Sequence, residues 1–344
     1  FPDVALAAGM PDLHPGKGCP VGAVIATERL LYPFFVGNDI GCGMGFWQTN
    51  LETRKAKPER LLTRLHGLEG PWEAISAVWL EARGMTPSSW DTALGTVGGG
   101  NHFAELQRVR EVVNADVWRA AGLDEAAYFL LVHSGSRGMG ECLLRDHVAR
   151  NNDGGIEAES EEGERYRARH AAALRWAEAN REAIARRFLG ACRGEGRCVH
   201  DSVHNGIARE TIDGTRYWLH RKGAAASTAQ WVILPGSRGA CTYLATPTGE
   251  QSANLHSIAH GAGRKWNRAA ALDRMKERYT VRQLVQTKRG GHVICEDKKL
   301  LFEEAPEAYK NIEAVVEALM AAKLIDVVAI LEPAITYKTR MEER

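Results

Sequence analysis

"AAYFLLVHSGSRG", residues 126–138, joins an unbroken apolar run to a loop of glycine and serine. A short apolar run without polar alternation, ended by turn residues, is typical of a strand buried on both faces. The loop that follows is rich in residues that favour tight turns. The stretch therefore predicts a buried strand that carries His133 and Ser134 to its tip.

Polar glycine-rich loops recur along the whole chain, and no repeat, linker or low-complexity segment divides it. The segments between these loops favour different structures. They are predicted to be strands joined by tight turns over 1–50, mainly helices over 51–92, a glycine-rich loop over 95–102, a long surface helix without site chemistry over 156–190, strands over 214–245, and a helix then a strand in the tail. Because strands and helices alternate without a break, we expect one interwoven α+β domain over residues 1–344.

Composition limits the classes of protein to which the chain can belong. With 344 residues, 44% hydrophobic and 25% charged, an ordinary globular protein is expected. A formal net charge of +1 gives no global basic field, so binding to nucleic acid would need a local patch. Seven scattered cysteines without a C-x-x-C pair favour a reducing cytoplasm over a disulfide framework. No apolar run is long enough to cross a membrane, so no membrane partner is expected.

Four histidines stand at predicted strand-to-loop transitions beside glycine, asparagine or serine: His102, His133, His204 and His260. A single histidine in such a place is usually a hydrogen-bonded loop residue, but histidine is also the commonest metal ligand. Four in similar settings therefore favour a shared site. Three others, His66, His147 and His170, lie in charged helical segments and are predicted to be at the surface.

"NDIGCGMG", residues 38–45, adds a carboxylate and a thiol to this set. A D-x-x-C turn in glycine-rich backbone can direct Asp39 and Cys42 at one point, although a free cysteine is often a small buried hydrophobe. Gly41 and Gly43 favour close backbone approach over packing. Carboxylate and imidazole suit manganese or iron, whereas thiolate and imidazole suit zinc, so the ligands leave the choice of metal open.

Three loops are typical of anion-binding turns, namely "GGGNHF" (98–103), "HSGSRG" (133–138) and "PGSRG" (235–239). Their backbone N–H groups can form a nest for an anion, with Arg137 or Arg238 on the phosphate oxygens. Any one of them alone is more often just a turn. None has the spacing of a P-loop, which excludes that class of NTPase. In "SIAHGAGRKW" (257–266), small residues after His260 would let a phosphate approach the backbone.

Nine motifs together resemble those of the RtcB-type RNA ligases, in the same order and over nearly the whole chain. They are "MPDLHPGKGCPVGAV", "NDIGCGMG", "VGGGNHFAE", "HSGSRGMG", "HNGIARE", "HRKGA", "PGSRG", "HGAGR" and "EEAPEAYKNIEAVVEA". The segment before the first motif and the stretch between the cysteine and "GGGNH" are shorter than is usual in the family. The resemblance therefore indicates a compact, bacterial-type branch with central β-sheets flanked by helices.

The resemblance implies a GTP- and manganese-dependent ligase. Such an enzyme joins an RNA 3′-phosphate or 2′,3′-cyclic phosphate to a 5′-hydroxyl through a histidine-GMP intermediate and guanylylation of the RNA 3′ end. It acts in RNA repair or tRNA splicing, in some cases with an activating protein factor. By motif position, Asp39, Cys42 and His102 would hold one Mn²⁺ and Cys42, His133 and His204 the other, with the thiolate as bridge. His260 would be the nucleophile that becomes guanylylated.

The resemblance also implies a nucleotide pocket. Its residues would be Asn101, His102, Phe103, Ala104, Glu105, His204, Asn205, Pro235, Gly236, Ser237, Arg238, Thr242, His260, Gly261, Ala262, Gly263 and Lys338. Lys338 would contact guanine, and Arg238 stands where methionine is usual. Arg137, Lys222 and Arg264 are further candidates for contact with RNA phosphates, or else structural loop cations.

Two other functions account for part of this pattern. A metal-dependent phosphoesterase would use the same metals and phosphate loops, but it needs neither a nucleotidyl acceptor such as His260 nor a guanine contact such as Lys338. A non-catalytic RNA-binding module would carry a basic and aromatic-rich stripe, which is not evident in the sequence.

Overall fold

Strands and helices alternate along residues 1–16 and 18–340, the part of the chain described by this computed structural model. Lys17, in the first of the quoted motifs, lies outside the described residues. The strands in this part are β1 (Val4–His14), β2 (Val21–Thr27), β3 (Leu30–Leu31), β4 (Gly43–Glu52), β5 (Phe103–Val112), β6 (Ala127–Ser134), β7 (Ile156–Glu157), β8 (Gly196–Val203), β9 (Asn205–Ile212), β10 (Thr215–Lys222), β11 (Ala224–Ala226), β12 (Val232–Pro235), β13 (Thr242–Pro247), β14 (Ser257–Ala259), β15 (His292–Cys295) and β16 (Ile325–Thr339). The helices are α1 (Pro33–Val36), α2 (Pro58–Leu62), α3 (Ala77–Glu81), α4 (Ala115–Ala120), α5 (Gly138–Asn151), α6 (Glu161–Ala191), α7 (Arg268–Arg278), α8 (Val281–Leu284), α9 (Lys298–Glu303) and α10 (Ile312–Ala321).

The apolar run at 126–138 forms β6, and all eight residues of that strand are buried, which confirms the prediction. β6 lies inside a sheet of order β12-β13-β16-β5-β6-β4-β8, with β15 parallel to β16. Alternate side chains of a strand point to opposite faces. Leu130 accordingly packs with Phe188 of α6 on one face, while Phe129 packs with Trp118 of α4 on the other. The α+β class predicted from the sequence is thus the observed one, with helices on a central sheet.

A second, antiparallel sheet has the order β1-β2-β10-β9, and a two-stranded ladder joins β11 to β14. β8 belongs to the large sheet and β9 to the smaller one, so the chain passes from one to the other at His204. β14 ends at Ala259, directly before His260. The loops that carry these two histidines therefore meet where the sheets adjoin.

The helix predicted over 156–190 exists, but its predicted surface position is wrong. α6 is buried along one side, including Trp176, Arg181 and Phe188. The alanines of α6 permit close packing against the loop that carries Cys42. A Cβ atom at Gly41 of that loop would lie only 2.7 Å from the Ala177 methyl group. Because small side chains alternate with charges along α6, the sequence suggests a solvated helix even though half of it faces the core.

Two further predictions are wrong for physical reasons. Residues 51–92 hold only the short helices α2 and α3, because prolines and left-handed glycines, such as Gly67 and Gly84, interrupt them. His147 and His170 are buried, where His147 bonds the Gly154 carbonyl and His170 accepts from the Ile207 amide. His66 is exposed, as predicted.

The predicted strands over 214–245 are confirmed as β10 to β13, and the tail forms α10 and then β16. Among the described residues, no helix combines the length and apolarity needed to cross a bilayer.

Candidate active site

A cavity of about 730 Å³ opens where the loops of the two sheets meet. Its wall receives residues from β1 at one end of the chain to β16 at the other. Part of the wall contains cysteine and histidine side chains, which we call the cysteine–histidine end, and another part contains buried lysine, arginine and glutamate.

The cysteine–histidine end brings together the five side chains predicted to bind metal. Cys42 Sγ lies 3.4 Å from His102 Nε2 and 3.1 Å from His133 Nε2. His133 Nε2 is in turn 3.3 Å from His204 Nε2. Asp39 completes the group, with its Oδ2 2.7 Å from His102 Nε2. Potential ligand atoms of Cys42, His102 and His133 all lie within 4.8 Å of one another.

Strand register explains why these side chains meet. Gly43, next to Cys42, pairs with Ser134 of β6 and with Val203 of β8, so the flanking His133 and His204 fall at the same edge. The His204 amide donates to the Cys42 carbonyl at 2.9 Å and fixes the crossing between the sheets. The predicted D-x-x-C turn is present, because the Cys42 amide donates to the Asp39 carbonyl.

Protonation states at this end favour a bound cation. Burial lowers the pKa of His133 and of His204 well below the ordinary value, so both imidazoles are neutral and their lone pairs are available. Burial, reinforced by Asp39, raises the pKa of the Cys42 thiol. Burial also raises the pKa of Asp39, but His102 more than offsets this and the net shift is downward. A cation would replace the proton of the thiol, and the mixed sulfur, nitrogen and oxygen donors fit such an ion.

Arg181 of α6 supports this end, a role that its sequence context does not indicate. Its fully buried guanidinium donates to the Gly41 carbonyl at 2.7 Å and to the Ser134 carbonyl at 3.0 Å. Two further bonds, of 2.8 and 2.5 Å, reach Asp201. Arg181 therefore ties the loop of Cys42 to the strand end of His133. In the sequence it was hidden among the many arginines and glutamates of its helix.

His260 stands beside the cluster, with its ring centroid 4.7 Å from that of His204. Its Nδ1 lies 2.7 Å from Oδ2 of Asp12, a fully buried carboxylate in β1. The His260 amide also donates to Asp12 at 3.3 Å. With Nδ1 against a carboxylate, Nε2 is the ring nitrogen left for chemistry. Asp12 lies inside "MPDLHPG", so a search for carboxylates in the quoted motifs would have found it.

The glycines after His260 pack against protein backbone. Gly263 has a φ of +70°, and a side chain there would come within 2.2 Å of the Asp12 carbonyl oxygen. The Ala262 amide donates to the Pro235 carbonyl at 3.1 Å. The small residues thus allow this loop to pack between β1 and the "PGSRG" loop. This packing places His260 next to Asp12.

Another part of the cavity wall holds two buried cations, Lys338 and Arg238, which are 4% and 7% exposed. Burial lowers the pKa of both. Glu105 lies near Lys338, accepts from Gln107 at 2.7 Å and from the Thr336 hydroxyl, and has its pKa raised by burial to about 7. Arg238 Nη2 donates to the Leu301 carbonyl at 2.9 Å. Its buried Nη1 has no hydrogen-bond partner within residues 1–16 and 18–340.

Most of the residues predicted for the nucleotide pocket line the cavity, namely Asn101, Phe103, Glu105, His204, Asn205, Pro235, Gly236, Ser237, Arg238, His260, Gly261, Ala262, Gly263 and Lys338. His102, Ala104 and Thr242 are buried and, within the described chain, are not part of its lining.

The three predicted phosphate-binding cations differ in their settings. Arg264 lines the cavity and pairs with Glu304 at 2.9 Å. Lys222 also lines it and donates to the Cys19 carbonyl at 2.9 Å. Arg137 is placed behind the cluster, with Nη1 3.3 Å from His102 Nδ1.

Comparison with known proteins gives one consistent match. The family described as tRNA-splicing ligase RtcB matches residues 2–73 and 80–339. The chain is 43% identical over 341 residues to RNA-splicing ligase RtcB2 of Escherichia coli strain ATCC 25922, covering 98% of this chain and 89% of that protein. It is 30% identical to RNA-splicing ligase RtcB of Mycobacterium tuberculosis, covering 96% of each. It is 28% identical to tRNA-splicing ligase RtcB of Thermococcus kodakarensis, covering 94% of this chain and 86% of that one.

Proposed function

The chain belongs to the RtcB family of RNA ligases, and we propose that it joins an RNA 3′-phosphate or 2′,3′-cyclic phosphate to a 5′-hydroxyl with GTP and Mn²⁺. The observation that carries the proposal is His260, held by Asp12 next to the cysteine–histidine cluster in one cavity. Because that cavity draws on residues from His14 to Lys338, we further propose that residues 1–344 act as one catalytic domain.

The donor set suits Mn²⁺: Asp39, Cys42 and His102 would hold one ion, and Cys42, His133 and His204 would hold a second. When bound, they would stabilise negative charge on the pyrophosphate leaving group and on the in-line phosphate. The chain supplies neutral imidazoles for them and excludes water by burying the cluster.

His260 acts as the nucleophile of the first step. Its Nε2 attacks the α-phosphate of GTP, a P–N bond forms and pyrophosphate leaves. Asp12 holds the ring through Nδ1 and stabilises the positive charge that the imidazole gains. The RNA 3′-phosphate then takes GMP from His260, and the 5′-hydroxyl displaces GMP to form the phosphodiester. Water opens a cyclic phosphate beforehand.

The buried charges of Lys338, Arg238 and Glu105 favour guanine over adenine. The guanine edge presents two acceptors, O6 and N7, which suit the donors Lys338 and Arg238. The N1–H and the amino group of guanine suit the Glu105 carboxylate. Adenine keeps N7 but would direct its 6-amino group at the cation that faces O6, leaving that buried charge unpaired. The unpartnered Nη1 of Arg238 supports this assignment.

Guanylylation can be tested by incubating the protein with α-labelled GTP and Mn²⁺. We expect an acid-labile label on the wild type and none on His260→Ala. His256→Ala, which changes the preceding histidine of the same segment, is the matched control and keeps the label. Label that persists in His260→Ala, or no label on the wild type, would overturn the proposal and leave a phosphoesterase as the better reading.

Metal binding can be tested with a pair of cysteine variants. Cys42→Ala should reduce the Mn²⁺ bound per chain, measured by equilibrium dialysis. Cys192→Ala removes another buried thiol, one that packs in the core with Phe188, and should leave that ratio unchanged. Equal Mn²⁺ binding by Cys42→Ala and the wild type would count against the proposed ligands.

The joining reaction needs its own measurement. A panel of RNAs with defined 3′-phosphate, cyclic-phosphate and 5′-hydroxyl ends, with GTP compared against ATP, should give ligated product with GTP only.

A further inference from the structure

The segment 264–289 concentrates positive charge. It carries nine lysines and arginines, namely Arg264, Lys265, Arg268, Arg274, Lys276, Arg278, Arg282, Lys288 and Arg289. Against them stand two carboxylates, Asp273 and Glu277. Because the whole chain has a net charge of only +1, this segment is the local patch that binding to nucleic acid requires.

Part of this segment forms what we call the basic stripe: Lys265, Trp266, Arg274, Arg278 and Tyr279. Lys265 Nζ lies 5.8 Å and Arg274 Cζ 4.7 Å from the centre of the Trp266 ring. One turn further along α7, Arg278 Cζ lies 5.5 Å from the Tyr279 ring. All three cations are exposed, and within the described chain no carboxylate comes within 4 Å of them. Such a stripe is not evident in the sequence, and it is the fold that brings these residues together.

Folding explains why the sequence did not reveal the stripe. Trp266 and Tyr279 are separated by the whole of α7, and they pack on the same small core beneath that helix as Met275. Arg274 and Arg278 lie on one side of the helix because their spacing is i to i+4.

The basic stripe is continuous with the active-site cavity. Arg264, Asn267 and Arg268 line the cavity, and Arg268 is the first residue of α7. From Arg268 to Arg278 the helix extends about 15 Å, at about 1.5 Å per residue. An RNA strand whose end lies in the cavity can therefore continue along this surface.

We propose that the basic stripe binds the single-stranded RNA that leads into the active site, which deepens and rests on the proposed ligase function. Lysine and arginine neutralise backbone phosphates. Guanidinium planes and aromatic rings offer flat surfaces for unpaired bases, whatever their sequence. Stacked bases are out of reach inside a duplex, so the stripe favours a single strand beside the broken end.

The test compares Lys265→Gln/Arg274→Gln/Arg278→Gln with the wild type. Binding of a labelled single-stranded RNA of about 16 nucleotides with a 3′-phosphate is followed by fluorescence anisotropy over a range of salt concentrations. We expect the Kd to rise about tenfold and the slope of log affinity against log salt to fall by about 2, since each lost phosphate contact contributes about 0.7. A dinucleotide 3′-phosphate, too short to reach the stripe, should bind both proteins equally.

Arg165→Gln/Arg175→Gln/Arg186→Gln, on the exposed side of α6, is the matched control for loss of charge. It should bind the longer RNA like the wild type. Equal loss in the control, or an unchanged Kd and salt slope in the stripe variant, would overturn the inference. Guanylylation of His260 uses no RNA, so it tests the ligase proposal independently of the basic stripe. No guanylylation of the wild type would overturn the ligase proposal. The RNA-binding measurement decides whether the basic stripe binds RNA.

Discussion

Asp12 and His260 form a pair whose two members are far apart in sequence and 2.7 Å apart in the fold. A carboxylate next to Nδ1 can orient an imidazole ring. Since Asp12 is fully buried, lies beside the ring and accepts from the His260 amide, it positions this residue through the backbone bond and the close ring contact.

Asp12→Asn should therefore slow guanylylation of His260 about 100-fold, a magnitude typical of losing a group that assists a nucleophile. The rate is measured in a single turnover with α-labelled GTP and saturating Mn²⁺. Asp326→Asn, an exposed carboxylate on β16, is the control and should react at the wild-type rate. A wild-type rate in Asp12→Asn would show that His260 needs no such partner.

Arg238→Met tests the buried cation at the guanine end. Methionine fills a similar volume and removes a charge whose burial costs free energy, so the nucleotide-free protein should melt about 2–4 °C higher. The same change should weaken GTP binding about tenfold and leave ATP binding unchanged, because the contact proposed to be lost is to O6, an acceptor that adenine lacks. Calorimetric titration with each nucleotide checks this, and equal losses for GTP and ATP would contradict a role in reading the base.

Site residues can be predicted from the sequence when their residue type is suited to only a few roles. The histidines and Cys42 stood out because few other side chains suit metals or nucleophilic attack. Asp12 and Arg181 did not, because carboxylates and arginines are common and their roles arise only from contacts made across the fold. The roles of Arg238 and Lys338 likewise depend on burial, which a single sequence does not specify.

At the scale of elements, α6 shows which part of secondary structure a sequence encodes. Its helical periodicity and its serine N-cap are local, since Ser160 Oγ accepts from the Gly163 amide. The position of α6 against the large sheet depends on tertiary contacts, and the predicted surface position is wrong. β6 was predicted correctly because an apolar run of this kind has no stable place at a surface.

Arg181→Met tests whether α6 fastens the site to the sheet. The substitution leaves Asp201 without its partner and two carbonyls without donors, so the free energy of unfolding should fall by about 3–5 kcal/mol. Arg186→Met, exposed one turn and a half further along α6, should change it by less than about 0.5 kcal/mol. Urea denaturation followed by circular dichroism provides both values, and similar stability for the two variants would remove Arg181 from this role.

At the scale of the whole molecule, the proposed metal ligands come from segments that are distant in sequence, namely the loops before β4 and β5, the end of β6 and the crossing between the two sheets. A cation held by such a set binds the folded chain and not the unfolded one, so it stabilises the fold through linkage. Mn²⁺ at 100 times its Kd should add about 2.7 kcal/mol to the free energy of unfolding. Removal of the metal with a chelator should reverse the rise in melting temperature. A melting temperature that does not change with Mn²⁺ would contradict the proposed metal ligands.

Stability should also depend on pH through Glu105. Its pKa is near 4.5 when unfolded and about 7 when folded, because burial opposes its charge. Between pH 4.5 and pH 7 the folded state therefore keeps the Glu105 proton, whereas the unfolded state releases it. For this reason Glu105 makes the free energy of unfolding fall as pH rises from about 4.5 to about 7. Glu105→Gln removes the dependence, so its melting temperature should exceed that of the wild type at pH 8 and approach it at pH 5. A constant difference across this range would contradict the assignment.

β16 follows every other described strand in the chain, yet it lies between β13 and β5 in the middle of the large sheet. A nascent chain cannot close that sheet until residue 339 has been synthesised. Until then both neighbours present open edges, which are templates for aggregation. Lys338 arrives on the same strand, so the part of the cavity proposed to bind guanine is assembled last. Premature termination should thus yield an aggregation-prone chain whose cavity is incomplete.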